Sequence, residues 1–430
     1  MSLPSADEVA RLVQAQYARL PKTGKPQPGE WTVLAGITLA RPGAPAEVVA
    51  LATGTKCLTT NQVAADASGE CVHDAHAEVC ARRALRTFLI AELKSLAKSS
   101  TSSVVQPIYG GGGFELRPGV QLALYTSEPP CGDAAIFTTP GELFCAEDSG
   151  TATSEPTAKR QRPADDEPGP AVTLHRTGAR PAAPSAMEAE ASSGGAVCLP
   201  GLVRTKPGRG ERTCCMSCSD KLARWQEIGI QGALLSLLMP APIRLASIVV
   251  GQPSSIDALR RAVGRCGVEA SQALQLGSTA LRFEHASPPD ATDASSAAAH
   301  PCSNSLIWTS CGVSEALNGL SGKRLGANKR APSPKHRSQL CKALLLQQIL
   351  EIAALLPPDL LPSALAEMQH LCERQRRTYA EAKALATAYQ QRKATLTGPG
   401  GPLSDWVRAP CVCEQLKSEH CPCPVTSTVQ

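Results

Sequence analysis

Three short segments lie far apart in the chain, yet each sits where a helix starts or a strand ends, and each carries a residue that can bind a soft metal ion. They are His76-Ala77-Glu78 at a helix start, Pro130-Cys131 after a strand, and Ser217-Cys218-Ser219-Asp220-Lys221 at a second helix start. A chain that uses them together must lay helices against a sheet. The expected class is therefore α/β, a central sheet with the metal-bearing helices on one face and a helical C-terminal part. One imidazole and two thiolates make a three-ligand zinc site that leaves the fourth tetrahedral position to water. Zinc lowers the pKa of such a water toward ~7, which makes a nucleophile available at neutral pH. Glu78, close to the metal without binding it, can carry a proton from water to a leaving amine.

That chemistry is the logic of zinc nucleobase deaminases, whose usual signature is H-x-E followed by P-C-x-x-C. Here Gly132-Asp133-Ala134 follow Cys131, and Cys218 lies far downstream. Taken singly, each piece reads as an ordinary helix segment or a packed cysteine. Their joint order is the specific signal.

Composition narrows the setting. No uncharged apolar run approaches ~18 residues, so no transmembrane helix and no membrane partner are expected. The first twenty residues mix charges throughout, unlike a secretory leader. The expected location is intracellular, cytoplasmic or nuclear or both, and not secreted. The 18 cysteines then read as buried hydrophobes, thiols or metal ligands, not as a disulfide framework. Hydrophobic residues make up 43% of the 430, enough for a core. Aromatics at 3% argue against repeated stacking platforms for single-stranded bases. Residues 323–393 carry 13 Lys and Arg against 5 Asp and Glu, a balance that suits a polyanionic partner.

The chain divides as follows. Residues 1–30 form a lead-in with a helix over 5–20. Residues 31–145 hold a hairpin (31–39 and 48–53), a helix from Asp74, its N-cap, to about Lys98, and a strand at 121–126. Residues 146–200, rich in Ala, Pro, Ser, Thr and Gly without periodicity, read as a disordered insertion. Residues 201–285 hold a helix over 214–228, strands at 232–238 and 244–250, and a helix near 255–266. A second disordered insertion spans 286–300. Residues 301–408 read as helical, with helices over 338–356 and 376–391 broken by Pro357, Pro358 and Pro362. A tail, 409–430, carries Cys411, Cys413, His420, Cys421 and Cys423 at spacings unlike a zinc ribbon. Lys159-Arg160-Gln161-Arg162 is a short basic run of the kind common in such insertions.

With these segments in view, the sequence resembles the adenosine deaminase domain shared by the tRNA-specific adenosine deaminases and the double-stranded-RNA editing deaminases. The matching stretches are GTKCL at 54–58, DAHAEVCARRALR at 74–86, YTSEPPCGDAAIF at 125–137 and MSCSDKLARWQEIGIQGALLS at 216–236, with looser matches at 377–396 and 405–407. The resemblance implies zinc ligands His76, Cys131 and Cys218, with Glu78 as the proton shuttle; in this family the second thiolate comes from the SCSDK segment. Thr55, Lys56 and Arg209 are implied RNA contacts. Arg209 either fills the gap left by a flipped base or belongs to a basic turn on phosphate.

The stretch 204–213, RTKPGRGERT, resembles the tRNA branch, and about 30 residues before the catalytic region leave no room for double-stranded-RNA-binding domains. The expected activity is hydrolytic deamination of adenosine to inosine in tRNA, next to the anticodon of tRNA for alanine. The alternatives are the same chemistry on another structured RNA, or a catalytically silent zinc-containing RNA-binding protein. A cytidine deaminase fits less well, given the SCSDK segment. Oligomeric state is not legible.

The resemblance also implies inositol hexakisphosphate as a buried structural cofactor. Arg82, Arg83, Lys221, Arg224, Trp225 and Gln231 fall at matching places near the ligand motifs. Lys342, Tyr379, Lys383, Tyr389, Lys393 and Trp406 do so in the C-terminal part. Lys383 and Lys393 also read as a solvated helix face. His73, Arg408 and Ala409 depart from the family's usual residues.

Overall fold

Residues 34–41 read Leu-Ala-Gly-Ile-Thr-Leu-Ala-Arg, and successive side chains of a strand point to opposite faces of its sheet. In the computed structural model this alternation splits the core in two. Leu34–Arg41 (β1) and Ala44–Thr53 (β2) form the expected hairpin, turning at Pro42-Gly43 with Gly43 at φ 75°. They join Gln121–Thr126 (β3), Ser247–Gly251 (β4), Gln275–Thr279 (β5), Asn304–Thr309 (β6), Ser314–Asn318 (β7) and Lys323–Arg324 (β8) in one sheet of order β5-β4-β3-β1-β2-β6-β7-β8. The strands β3, β4 and β5 run parallel, and the other neighbours are antiparallel. The described residues are 3–99, 101–109, 112–140, 172–175, 177–192, 198–208, 211, 213–267, 273–288, 299–327, 333–373 and 379–408.

Helix α1 (Ala6–Ala18) covers one face, where Val9, Val13 and Tyr17 meet Leu34, Leu51, Tyr125 and Val249. It packs so close that a Cβ on Gly36 would stand 2.4 Å from Val13 Cγ1. Helix α2 (Ala77–Ser99) covers the other face, with Ala81, Leu85 and Leu89 on Ile37, Leu39, Leu122 and Leu124. Each such buried leucine contributes roughly 2 kcal/mol. The same apolar cluster takes in Cys218–Ile228 (α4), Ile256–Gly264 (α5) and the C-terminal helices Lys342–Leu355 (α6), Ser363–Glu373 (α7), Tyr379–Ala384 (α8) and Thr387–Thr397 (α9). Helix α3 (Pro184–Ser192) precedes α4 in the chain. The α/β class is as expected.

Several local expectations are corrected. Asp74 does not cap α2: Asp74–His76 is a short strand, and the helix begins at Ala77. The apolar run 232–238 is no strand but ends in a 3-10 turn, Leu235–Leu237. The part 301–408, read as helical, opens with the strands β6, β7 and β8, because short apolar runs such as Leu306-Ile307-Trp308 fit either element. The helix expected over 214–228 starts at Cys218, where the Ser217 Oγ accepts from the Asp220 N–H at 3.1 Å.

The larger correction concerns 146–200. Val172–His175 pairs with Phe137–Pro140, Arg180–Pro181 pairs with Arg204–Thr205, and α3 lies between. Composition misled because this segment is held less by apolar burial, at points such as Ala179 and Ala182, than by a buried arginine. Arg204, fully buried, donates to Ala179 O at 3.0 Å, to Leu199 O at 2.7 Å and to the Glu190 carboxylate of α3. The rest of that insertion, residues 289–298 of the second one, and the tail 409–430 lie outside the described residues.

Glu190→Ala leaves the Arg204 guanidinium buried without its counter-ion. We expect a stability loss on the order of 3 kcal/mol, read as a lower Tm by calorimetry at unchanged secondary structure. A wild-type Tm would show that α3 is not docked by this pair.

Candidate metal centre and active site

His76 ends a strand that pairs with Thr55–Cys57, placing Thr55 opposite His76 and Cys57 opposite Asp74. The crossing is tight. Gly54 stands at φ 142°, and a Cβ there would lie 2.0 Å from Ala75 O. Ala77 N–H bonds to Gly54 O at 3.0 Å as α2 begins, which puts Glu78 in the first turn beside His76. Beyond β3, Pro129-Pro130 stop the strand, and Gly132 at φ 103° turns the chain away immediately after Cys131. Cys218 is the first residue of α4.

These three turns converge. His76 Nδ1 lies 3.8 Å from Cys131 Sγ and 3.7 Å from Cys218 Sγ, and the three candidate ligand atoms all lie within 4.8 Å of one another. Among the described residues no other such group of His, Cys, Asp and Glu forms. The two thiolate segments are stitched together: Cys218 N–H points at Cys131 Sγ (3.3 Å) and Ser219 N–H bonds to Cys131 O (3.1 Å). Ser219 Oγ donates to Pro130 O and accepts from Ala134 N–H, both at 3.0 Å. The Thr177 Oγ accepts from Gly132 N–H at 2.9 Å, so the insertion also supports the Cys131 turn. A hydrogen bond with Cys218 holds the Cys131 thiol well below its ordinary pKa, helped against burial by Lys206 and His76.

Glu78 is buried, and its Oε2 has no hydrogen-bond partner within the protein. Burial pushes its pKa up, and the neighbouring Cys131 adds to this. An orphaned acid beside one imidazole and two thiolates fits a zinc ion with an open coordination position.

Behind the ligands lies a group that sequence reasoning misassigned. The Lys206 Nζ, fully buried, donates to both Asp74 carboxylate oxygens at 2.8 and 2.7 Å, and Lys221 Nζ donates to the same carboxylate. Burial alone would raise the Asp74 pKa; the two ammonium groups outweigh it and hold the carboxyl well below the usual range. From the sequence, Lys206 is named only within the tRNA-branch stretch 204–213 and is given no role at the site. The available signal was the position of Asp74, two residues before a ligand, where an N-cap reading hid its charge.

Residues 50–410, which contain all three ligand positions, match the family profile of the adenosine-deaminase (editase) domain. The chain belongs to that deaminase family. Among its relatives, tRNA-specific adenosine deaminase 1 of Homo sapiens is 30% identical over 514 residues, covering 96% of this chain and 100% of the relative. The Drosophila melanogaster protein of that name is 32% identical over 405 residues, covering 90% and 91%. The double-stranded RNA-specific editase Adar of Drosophila melanogaster is 33% identical over 276 residues, covering 62% of this chain and 36% of the relative.

The remaining expected residues of this deaminase fall into three sets. Thr55 and Lys56 lie on the strand beside His76, while Arg209 is outside the described residues. Arg82, Arg83, Lys221, Arg224, Lys342, Lys383 and Lys393 line one cavity of about 600 Å³ with Trp225 and Trp406. With Arg408 that makes eight cationic side chains against one carboxylate, Asp74. Tyr379 and Tyr389 line a smaller neighbouring cavity together with Arg86, which the sequence reading passed over. Arg82 stacks over Trp225 at 4.7 Å and Arg224 over Trp406 at 3.8 Å. Gln231 is at neither cavity: its amide donates to Met239 O and Ala241 O and accepts from Ile243 N–H, a purely internal brace.

Because the folded Asp74 pKa is depressed, its contribution is complete above the unfolded carboxylate value of ~3.9 and is lost as pH falls from there toward the folded value. Asp74→Asn should lower Tm at neutral pH and narrow its gap to wild type as pH drops below about 4. A constant gap from pH 3 to 7 in thermal melts would refute the charge pairing.

Proposed function

We propose that this chain hydrolytically deaminates adenosine to inosine in tRNA, next to the anticodon of tRNA for alanine, as a zinc enzyme. The observation carrying the tRNA assignment is coverage. This chain aligns with the entire human tRNA-specific relative but with about a third of the double-stranded-RNA editase. His76, Cys131 and Cys218 would hold the zinc. When bound, the ion supplies the Lewis acidity that makes water nucleophilic near neutral pH. Glu78, enclosed and without a protein partner, takes the proton from the attacking water and hands it to the departing amine, so that ammonia leaves and the C6 oxygen stays. Burial, which favours the protonated carboxyl, suits an acid that must give its proton back. Thr55 and Lys56, beside His76, suit contacts to the extruded nucleotide.

The reading extends to inositol hexakisphosphate in the cationic cavity. Arg82 Nε, Arg224 Nε and Trp225 Nε1 are enclosed donors without protein acceptors. Burial, then Arg86, pulls the Arg82 guanidinium well below its ordinary pKa, as expected of crowded cations that lack an anion. A polyphosphate satisfies both the charge and the donors.

Sequencing of tRNA as cDNA after incubation with purified protein reads inosine as guanosine, and tests the activity directly. Glu78→Ala should abolish that signal while zinc remains stoichiometric by elemental analysis; wild-type turnover by this variant would remove the proton-transfer role. Cys218→Ser should lose zinc as well as activity.

Mass spectrometry of ligand released from denatured wild-type protein should find an inositol polyphosphate. Arg224→Ala should then yield insoluble or zinc-poor protein. A soluble, zinc-replete protein containing no polyphosphate would leave these cations as RNA contacts instead, with a defect in affinity and in salt dependence.

A further inference from the structure

Each thiolate segment carries a fully buried aspartate two residues beyond its cysteine: Asp133 after Cys131 and Asp220 after Cys218. Both carboxylates face one guanidinium. Arg265, the C-cap residue just after α5, donates from Nη2 to Asp133 Oδ2 at 2.6 Å and from Nη1 to Asp220 Oδ1 at 2.8 Å. A further bond from Nη1 to Leu202 O at 3.3 Å fixes its plane. The other carboxylate oxygens are committed elsewhere. Asp133 Oδ1 accepts from Gly201 N–H and Arg261 Nε, and Asp220 Oδ2 from Ser217 Oγ and Arg204 N–H. Neither aspartate can shift without breaking several bonds.

We propose that Arg265 is a positioning residue that sets the separation of Cys131 and Cys218 and thereby the strength with which they hold the metal. The proposal rests on the zinc reading of His76, Cys131 and Cys218. A planar fork bonded to two carboxylates fixes both distance and angle, which a point charge does not. Groups hydrogen-bonded directly to metal ligands are typically worth about 10–100-fold in metal affinity. Arg265 acts one step further out, through Asp133 and Asp220, which points to the lower end, about 10-fold. Arg261 is the internal comparison. It grips Asp133 Oδ1, Asp133 O and Ile136 O from the same helix, so it anchors the Cys131 segment without reaching Asp220.

The test measures zinc release into a chromophoric chelator from wild type, Arg265→Met, Arg265→Lys and Arg261→Met, with a thermal melt of each. Cobalt-substituted samples report thiolate geometry through their ligand-field absorption. Arg265→Lys keeps the charge and loses the fork, so it remains informative if Arg265→Met fails to fold. We expect release at least about 10-fold faster, with an altered cobalt spectrum, from whichever Arg265 variants fold. Arg261→Met should lower Tm yet release zinc at the wild-type rate. Wild-type release and spectrum from Arg265→Lys, or equal acceleration in the Arg261 and Arg265 variants, would overturn the proposal while leaving the zinc reading intact. A wild-type protein that binds no zinc overturns both.

Discussion

The Asp74 carboxylate is where the two halves of the site meet. One of its neighbours in sequence is the strand end that presents His76; its partners in space are Lys206 and Lys221. Lys221 also lines the cationic cavity, and Lys206 enters from the stretch that precedes α4. A buried carboxylate with one lysine would be balanced; with two it carries a net positive charge that must be answered on the far side. The cationic cavity and the candidate metal centre are thus coupled through a single anion. A change in the charge of one is felt electrostatically by the other at short range and low effective dielectric.

Further cations gather behind this group, although like charges repel one another. Arg82 and Arg83 follow Glu78 on α2, while Lys221 and Arg224 follow Cys218 on α4, so both helices carry charge within two turns of the metal position. Aromatic faces relieve part of the repulsion, as Arg82 on Trp225 and Arg224 on Trp406 illustrate. Such stacking leaves the Nε donors of both guanidinium groups unmet.

Much of the geometry of the candidate site was legible in the sequence because its pieces obey local rules. Cys218 follows a Ser cap, Cys131 follows a strand stopped by two prolines, and Glu78 lies in a first helical turn; each fixes direction as well as position. The α/β class followed from the same transitions. What escaped was whatever depends on partners remote in sequence. The Arg265 contacts to Asp133 and Asp220 span 132 and 45 residues, and no periodicity announces them. The family resemblance groups Gln231 with the expected cofactor contacts, yet its amide closes a local backbone turn. Composition was a poor guide to 177–192, since one buried arginine anchors it without an apolar face.

The ladder between Phe137–Pro140 and Val172–His175 has a practical reading. It brings the two ends of an intervening stretch together at a distance set by strand pairing, whatever lies between them. Doubling the length of a flexible loop adds only about 0.6 kcal/mol to its closure. The paired ends at Pro140 and Val172 are therefore a natural place to join a fluorescent domain or an affinity handle. The same span cannot be moved to 177–204, where a spliced-in domain would pull on Thr177 and, through it, on the turn that holds Cys131.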